Sequence, residues 1–229
     1  MNKIEYGKHE LVEDSFQSYL VKGAKFTTTE EYPIIRSDMI STKIPDSIMP
    51  FEKAINYKGD LSNTFICTYE KDYTFERIRR NPSKYVNFFK RTAGIIGFDY
   101  SIHSDMPIIK QKSQMNDNLS LTYFYANQDI PAIPNLRCGD IELQKEFFEA
   151  IPKKKLVSVG VHGFHKYKFE KYEWLCFLED VIQELEPSGI IVYGSLNEQL
   201  YDQLKEKTQF HFYDPWIKTK GKKVFNYVH

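Results

Sequence analysis

The sequence predicts an α/β protein built on a mostly parallel sheet of about six strands, and three observations carry that prediction. From residue 64 onward, short runs rich in β-branched and aromatic residues alternate with amphipathic segments at close intervals. Most positions in these runs are apolar, as in strands covered on both faces. Several end abruptly in polar residues, most plainly residues 94–107 (GIIGFDYSIHSDMP), which is how a buried parallel strand delivers groups to the carboxyl edge of its sheet.

Taken in order, residues 1–59 form an N-terminal extension that Pro33, Pro45 and Pro50 cut into short pieces. Ile4, Leu11, Val12, Phe16 and Leu20 predict one amphipathic helix near the start. Residues 32–35 read as a short edge strand, and residues 48–54 (IMPFEKA) as a loop entering a helical turn. The α/β domain follows over residues 60–216. Its strands are expected at 64–69, 94–99, 132–137, 156–161, 190–193 and 210–213. Helices are expected at 73–80, at 84–92 with Pro82 just before it, and at 108–127. Three more are expected at 141–150 capped by Asp140, at 172–185, and at 197–207 capped by Asn197. Residues 217–229 are a basic tail, docked where Val224 and Phe225 allow.

Right-handed crossovers between parallel strands leave two architectures, an open doubly wound sheet or an incomplete TIM-like barrel. The repeating region spans about 155 residues, short of the roughly 250 of a complete eight-unit barrel.

Composition narrows the function classes. The 229 residues are 41% hydrophobic and 15% aromatic, enough for a substantial core. Lys+Arg and Asp+Glu balance at 31 each, so no global field draws in polyanions. No apolar signal region opens the chain and no run of 18 or more apolar residues interrupts it, so a cytoplasmic location without membrane contact is expected. Cys67, Cys138 and Cys176 are widely spaced and unpaired in pattern, as reduced thiols are. There is no GxxxxGK[ST], GxGxxG or GxSxG, so P-loop, dinucleotide-fingerprint and nucleophile-elbow readings lack support.

Parallel strands would gather Glu70 or Asp72, Asp99, Ser101, Asp105, Arg137, Asp140, His162, Tyr193, Ser195 and Asp214 at one edge. Carboxylates beside a guanidinium and an imidazole suit acid-base hydrolysis or the holding of a phosphorylated ligand. Asp99, Asp105 and His162 are therefore the candidate catalytic groups, and Ser101, Arg137, Tyr193, Gly194 and Ser195 the candidate ligand-binding groups. The plainer alternatives make Asp99 a turn cap, Asp105 a loop brace and Arg137 the neutralising partner of Asp99 or Asp140. His162 and His165 have a metal spacing only on a helix, and Gly163 between them favours a loop, so no metal is assigned. No residue pattern names a cofactor.

From about residue 48 to 216 the chain resembles the DUF4417 family, uncharacterised proteins common in phages and mobile elements of Gram-positive bacteria. The resemblance rests on IMPFEKA at 48–54, YTFERIRRNPSKY at 73–85, FDYSIHSDMP at 98–107, IPAIPNLRCGD at 130–140, VSVGVHG at 157–163 and PSGIIVYGS at 187–195. It brings no activity with it. Gln111 and Asn118 fit the family helix, but Asp117, Leu119 and Tyr123 stand where the family carries arginines, so no anion-binding role passes to that helix.

Three readings follow. In the first, a phage or mobile-element accessory protein holds a small anionic ligand, conceivably a nucleotide, with or without hydrolysis. The second is an interaction protein that blocks a host protein. The third is a nucleic-acid-associated replication or mobilisation factor using Arg77, Arg79, Arg80, Lys84, Lys90 and Arg91 or the tail lysines.

Overall fold

A computed structural model describes residues 3–6, 10–137, 139, 141–161, 168–194, 198–219 and 227–228. The expected amphipathic helix near the start is replaced by an antiparallel hairpin, β1 (Lys3–Tyr6) with β2 (Glu10–Glu13), in which Ile4 pairs with Val12. KIEY alternates charged and apolar residues at the spacing of two that strands favour, and the helical reading had bridged it to the apolar pair Leu11–Val12. A 3-10 turn, Ser18–Val21, then packs on the long helix Ile108–Ala126. Residues 32–35 make only a single bridge, Phe26 with Pro33, because Pro33 has no N–H to extend a ladder.

The parallel series begins earlier than residue 60. Strand β3 (Ser47–Pro50) runs into the short helix α1 (Phe51–Ala54), so the helical turn expected here is present and the loop expected before it is a strand. There follow β4 (Thr64–Cys67), α2 (Asp72–Arg80), a 3-10 turn at Pro82–Tyr85 with α3 (Val86–Phe89), and β5 (Gly94–Ile96). Next come α4 (Ile108–Ala126), β6 (Ala132–Ile133), a 3-10 turn at Ile141–Leu143 with α5 (Gln144–Glu149), and β7 (Leu156–Gly160). The series ends with α6 (Lys168–Leu185), β8 (Gly189–Tyr193), a 3-10 turn at Glu198–Tyr201 with α7 (Asp202–Lys205), β9 (Phe210–Tyr213), α8 (Trp216–Thr219) and β10 (Tyr227–Val228). The expected caps Asp140 and Asn197, and Val224 and Phe225 in the tail, lie outside the described residues.

Two ladders run β3-β4-β5-β6 and β7-β8-β9-β10, parallel except for β10, which pairs antiparallel with β9. Strand order follows chain order, without the reversal that a doubly wound sheet contains. The bridge between Asn135 and Ser158 joins the ladders, with Ser158 N–H donating to Pro134 O and Leu136 N–H to Ser158 O, both at 2.8 Å. Among the described residues no ladder joins β9 to β3, so the barrel is not closed.

The sheet is nonetheless strongly curled. In a flat sheet, the four spacings from β4 to β8 would total about 19 Å. Yet the rings of Tyr69, just past β4, and Tyr193, at the end of β8, stack with centroids 5.0 Å apart. Likewise the Tyr213 hydroxyl of β9 donates to Pro45 O, just before β3, at 2.5 Å. Register places Phe65, Gly94, Ile96, Ile133, Ser158, Gly189 and His211 on the concave face. Its tight curvature is filled by rings lying over glycines: Phe65 over Gly94, Tyr69 over Gly160, His211 over Gly189. The convex face buries Ile66, Val157, Val159, Ile190 and Val192, with the helices that surround the sheet burying residues such as Leu178 and Val181.

His211 is buried and neither ring nitrogen has a hydrogen-bond partner, so burial holds its pKa below the ordinary value. The unfolded chain takes up this proton at about pH 6.5, whereas the folded chain resists until lower pH, so stability falls as pH drops below about 6.5. His211→Leu is expected to flatten the dependence of Tm on pH between about 7 and 5. An unchanged slope would contradict the assignment.

Candidate functional site

The carboxyl edge of the curled sheet holds a buried polar chain. Asp99, three residues past β5, is buried, and Arg137, four past β6, grips it in bidentate fashion. Nε lies 2.5 Å from Oδ1 and Nη2 3.0 Å from Oδ2. Nη1 takes no part in this pair. Asn135 Nδ2 donates to the same carboxylate at 2.7 Å, and Asp99 N–H donates to Thr68 Oγ1 at 2.9 Å. Asn135 is itself aimed by the Tyr69 hydroxyl, which donates to its Oδ1 at 2.8 Å and lies 3.1 Å from Ser158 Oγ. Segments that follow three successive strands thus converge on one ion pair, and Ser158 of a fourth strand braces it through Tyr69. Thr68 and Tyr69, Asp99, and Asn135 and Arg137 follow the ends of β4, β5 and β6, where backbone leaving the ladder frees groups for side chains, while Ser158 sits in the middle of β7.

Burial pushes the Asp99 carboxyl up from its ordinary value, opposed by Arg137 and by the hydrogen bonds from Arg137 and Asn135. Burial works against the Arg137 charge as well, but the facing carboxylate outweighs it and holds the guanidinium above its usual value. The pair stands as a charged fork, its two oxygens both engaged.

A second carboxylate borders the first. Asp72, opening α2, accepts from Ser101 Oγ at 2.9 Å and from Ser101 N–H at 3.2 Å, which pins the loop between β5 and α4. Asn118 of α4 braces the same loop by accepting Tyr100 N–H at 2.8 Å and donating to Tyr100 O at 3.3 Å. Where the family helix was expected to carry arginine, Asp117 accepts Arg79 at 2.7 Å, and Leu119 and Tyr123 are buried.

The structure therefore brings Asp99 and Arg137 together, with Ser101 on the neighbouring Asp72. Asp105 is separate, exposed in the turn before α4. Tyr193 stacks on Tyr69 and its hydroxyl accepts Trp216 N–H at 3.0 Å, while Gly194 N–H donates to Tyr213 O. Both make contacts internal to the protein. Glu70 caps α1 by accepting Glu52 N–H, and Asp214 lies 3.9 Å from Lys218. His162, His165, Asp140, Ser195 and Cys138 lie outside the described residues. Cys67 is fully buried and its thiol is pushed far up by that burial, so it is no nucleophile.

Sequence reasoning did not single out Tyr69, Asn135, Ser158 or Thr68. One signal was available: Asn135 and Ser158 are polar residues set among strand runs otherwise apolar, and such groups must find partners.

The sequence matches the family described as Domain of unknown function (DUF4417) over residues 26–213, which takes in β3 and every later parallel strand. The chain belongs to that family. No curated protein and no solved structure matches it significantly. No helix among the described residues is long and apolar enough to cross a membrane.

Removing one partner of the buried pair leaves an uncompensated charge, so Arg137→Ala is expected to cost about 3–5 kcal/mol. Asp105→Ala, in an exposed turn, should stay within about 0.5 kcal/mol of the parent. Urea denaturation of both variants checks this, and equal stabilities would contradict the described network.

Proposed function

We propose that this DUF4417 protein binds a small anionic ligand of nucleotide class at the carboxyl edge of its curled sheet, and serves a phage or mobile element as an accessory protein. The observation that carries the ligand reading is the Asp99–Arg137 pair, held by Asn135, Tyr69 and Thr68 at the edge where α/β sheets take ligands. A buried ion pair adds little stability over an apolar replacement, so its retention favours a role beyond packing. The accessory role is supported by the family motifs alone.

Asp99 cancels much of the charge on Arg137, and Asp72 adds a further negative group nearby. What the edge offers an anion is thus an oriented guanidinium and not a net field. Binding should vary little with salt, unlike contact with a nucleic-acid backbone. Hydrolysis has less support than binding, because both Asp99 oxygens already accept donors and Asp105 stands apart. The nucleic-acid reading is weakened at the basic cluster. Arg79 is held by Glu76 and Asp117, Arg77 lies over the Phe51 ring at 5.0 Å, and Arg91 lies over Phe88 at 6.0 Å.

The test is thermal denaturation with a panel of nucleoside mono-, di- and triphosphates. Ligand at a hundredfold its Kd stabilises by about 2.7 kcal/mol, a rise of roughly 5–10 °C for a chain of this size. The double variant Asp99→Leu/Arg137→Met should fold with near-parent stability and lose that rise. No shift with any nucleotide, or a shift that the double variant keeps, would refute the reading.

A further inference from the structure

The polar edge holds one carboxylate that the buried ion pair does not use. Asp72 is the first residue of α2, where a helix favours negative charge, and it is half-buried. Ser101 Oγ donates to its Oδ1 at 2.9 Å, and the Ser101 N–H is shared between Oδ1 and Oδ2 at 3.2 Å each. A carboxylate accommodates about four donors, so these two leave about half its capacity open, most of it on Oδ2. Among the described residues it has no cationic partner. Lys71, its neighbour in the chain, lies over the Tyr73 ring at 6.0 Å instead.

Asp72 stands beside the guanidinium without joining it. Arg137 is paired with Asp99, yet the charge of Asp72 acts on both members of that pair. Ser101, which Asp72 holds, is two residues beyond Asp99 in the same loop. Together the three side chains leave a net negative charge at the edge. An anion can meet Arg137 there only if the part of it that faces Asp72 is uncharged and brings donors, or carries a metal ion. Among the described residues no third carboxylate, imidazole or thiolate joins Asp72 to hold a metal. A carboxylate with open acceptor sites is instead the group that takes sugar hydroxyls in dinucleotide sites.

We infer, resting on the ligand reading above, that the nucleotide is a ribonucleotide: Asp72 accepts the cis-diol of its ribose while Arg137 meets its phosphate. Asp72 is then the specificity-determining residue of the edge. A deoxyribonucleotide loses a charge-assisted hydrogen bond there and brings its phosphate to a carboxylate that nothing offsets.

Isothermal titration of the full chain tests this, using the 5′-mono- and triphosphates of adenosine, guanosine, cytidine and uridine against their 2′-deoxy counterparts, with magnesium and with EDTA. The deoxy form of whichever nucleotide binds is expected to be weaker by roughly 10- to 100-fold, the loss of one hydrogen bond to a charged group. Asp72→Asn keeps an oxygen for Ser101 but removes the charge and turns an amide toward the sugar. Its ratio of ribo to deoxy affinity should fall toward one, with the deoxy form bound no more weakly than by the parent. Ser101→Ala, which unpins Asp72, should narrow the same ratio. A residue that merely held the loop would weaken both forms and keep the ratio. Equal affinities in the parent, a ratio that survives in both variants, or binding abolished by EDTA would overturn the ribose assignment and leave the anion site at Arg137 standing. Nucleotides that do not bind at all, or that bind undiminished to Asp99→Leu/Arg137→Met, would overturn the ligand reading along with it.

Discussion

The concave face of the sheet can exist only because aromatic and imidazole rings fill it over glycines. Tyr69 shows how much hangs on this. Its ring occupies the space above Gly160, where a Cβ would sit only 2.5 Å from ring carbon Cε1. One face of that ring stacks on Tyr193 from the far side of the curl, and its hydroxyl sets the orientation of Asn135. Asn135 then fixes Asp99, and Asp99 fixes Arg137. Curvature, core packing and the polar edge are therefore one construction.

That construction accounts for an ion pair where a hydrophobic cluster would serve stability as well. A guanidinium loses little further freedom on meeting a ligand when its Nε and Nη2 are already fixed, and preorganisation of this kind lowers the cost of binding. The same reasoning separates Arg137 from the surface arginines. Arg79 is tied to two carboxylates between helices, where it joins α2 to α4 instead of facing the carboxyl edge.

How far the sequence could be read differed from element to element, for physical reasons. β4, β7, β8 and β9 were legible because both faces are buried, so their runs are apolar but for Thr64, Ser158 and His211. β3 was not, since four residues between Pro45 and Pro50 give no period to detect. β6 was read as six residues but ladders over two, because Pro131 and Pro134 lack N–H donors. Asp99 and Arg137 stood out as polar groups leaving apolar strands, and their mutual neutralisation was one of the readings the residues allowed.

By itself the sequence determined the alternation of strand and helix and the edge to which polar residues are delivered, since both follow from local periodicity and the direction of the chain. Only the tertiary structure decided that the sheet curls, that Tyr69 meets residues 66 and 89 positions away, and that Asn135 and Arg137 close on the Asp99 carboxylate. Those pairings depend on strand order and twist, which are set by how whole elements pack, and no local pattern encodes them.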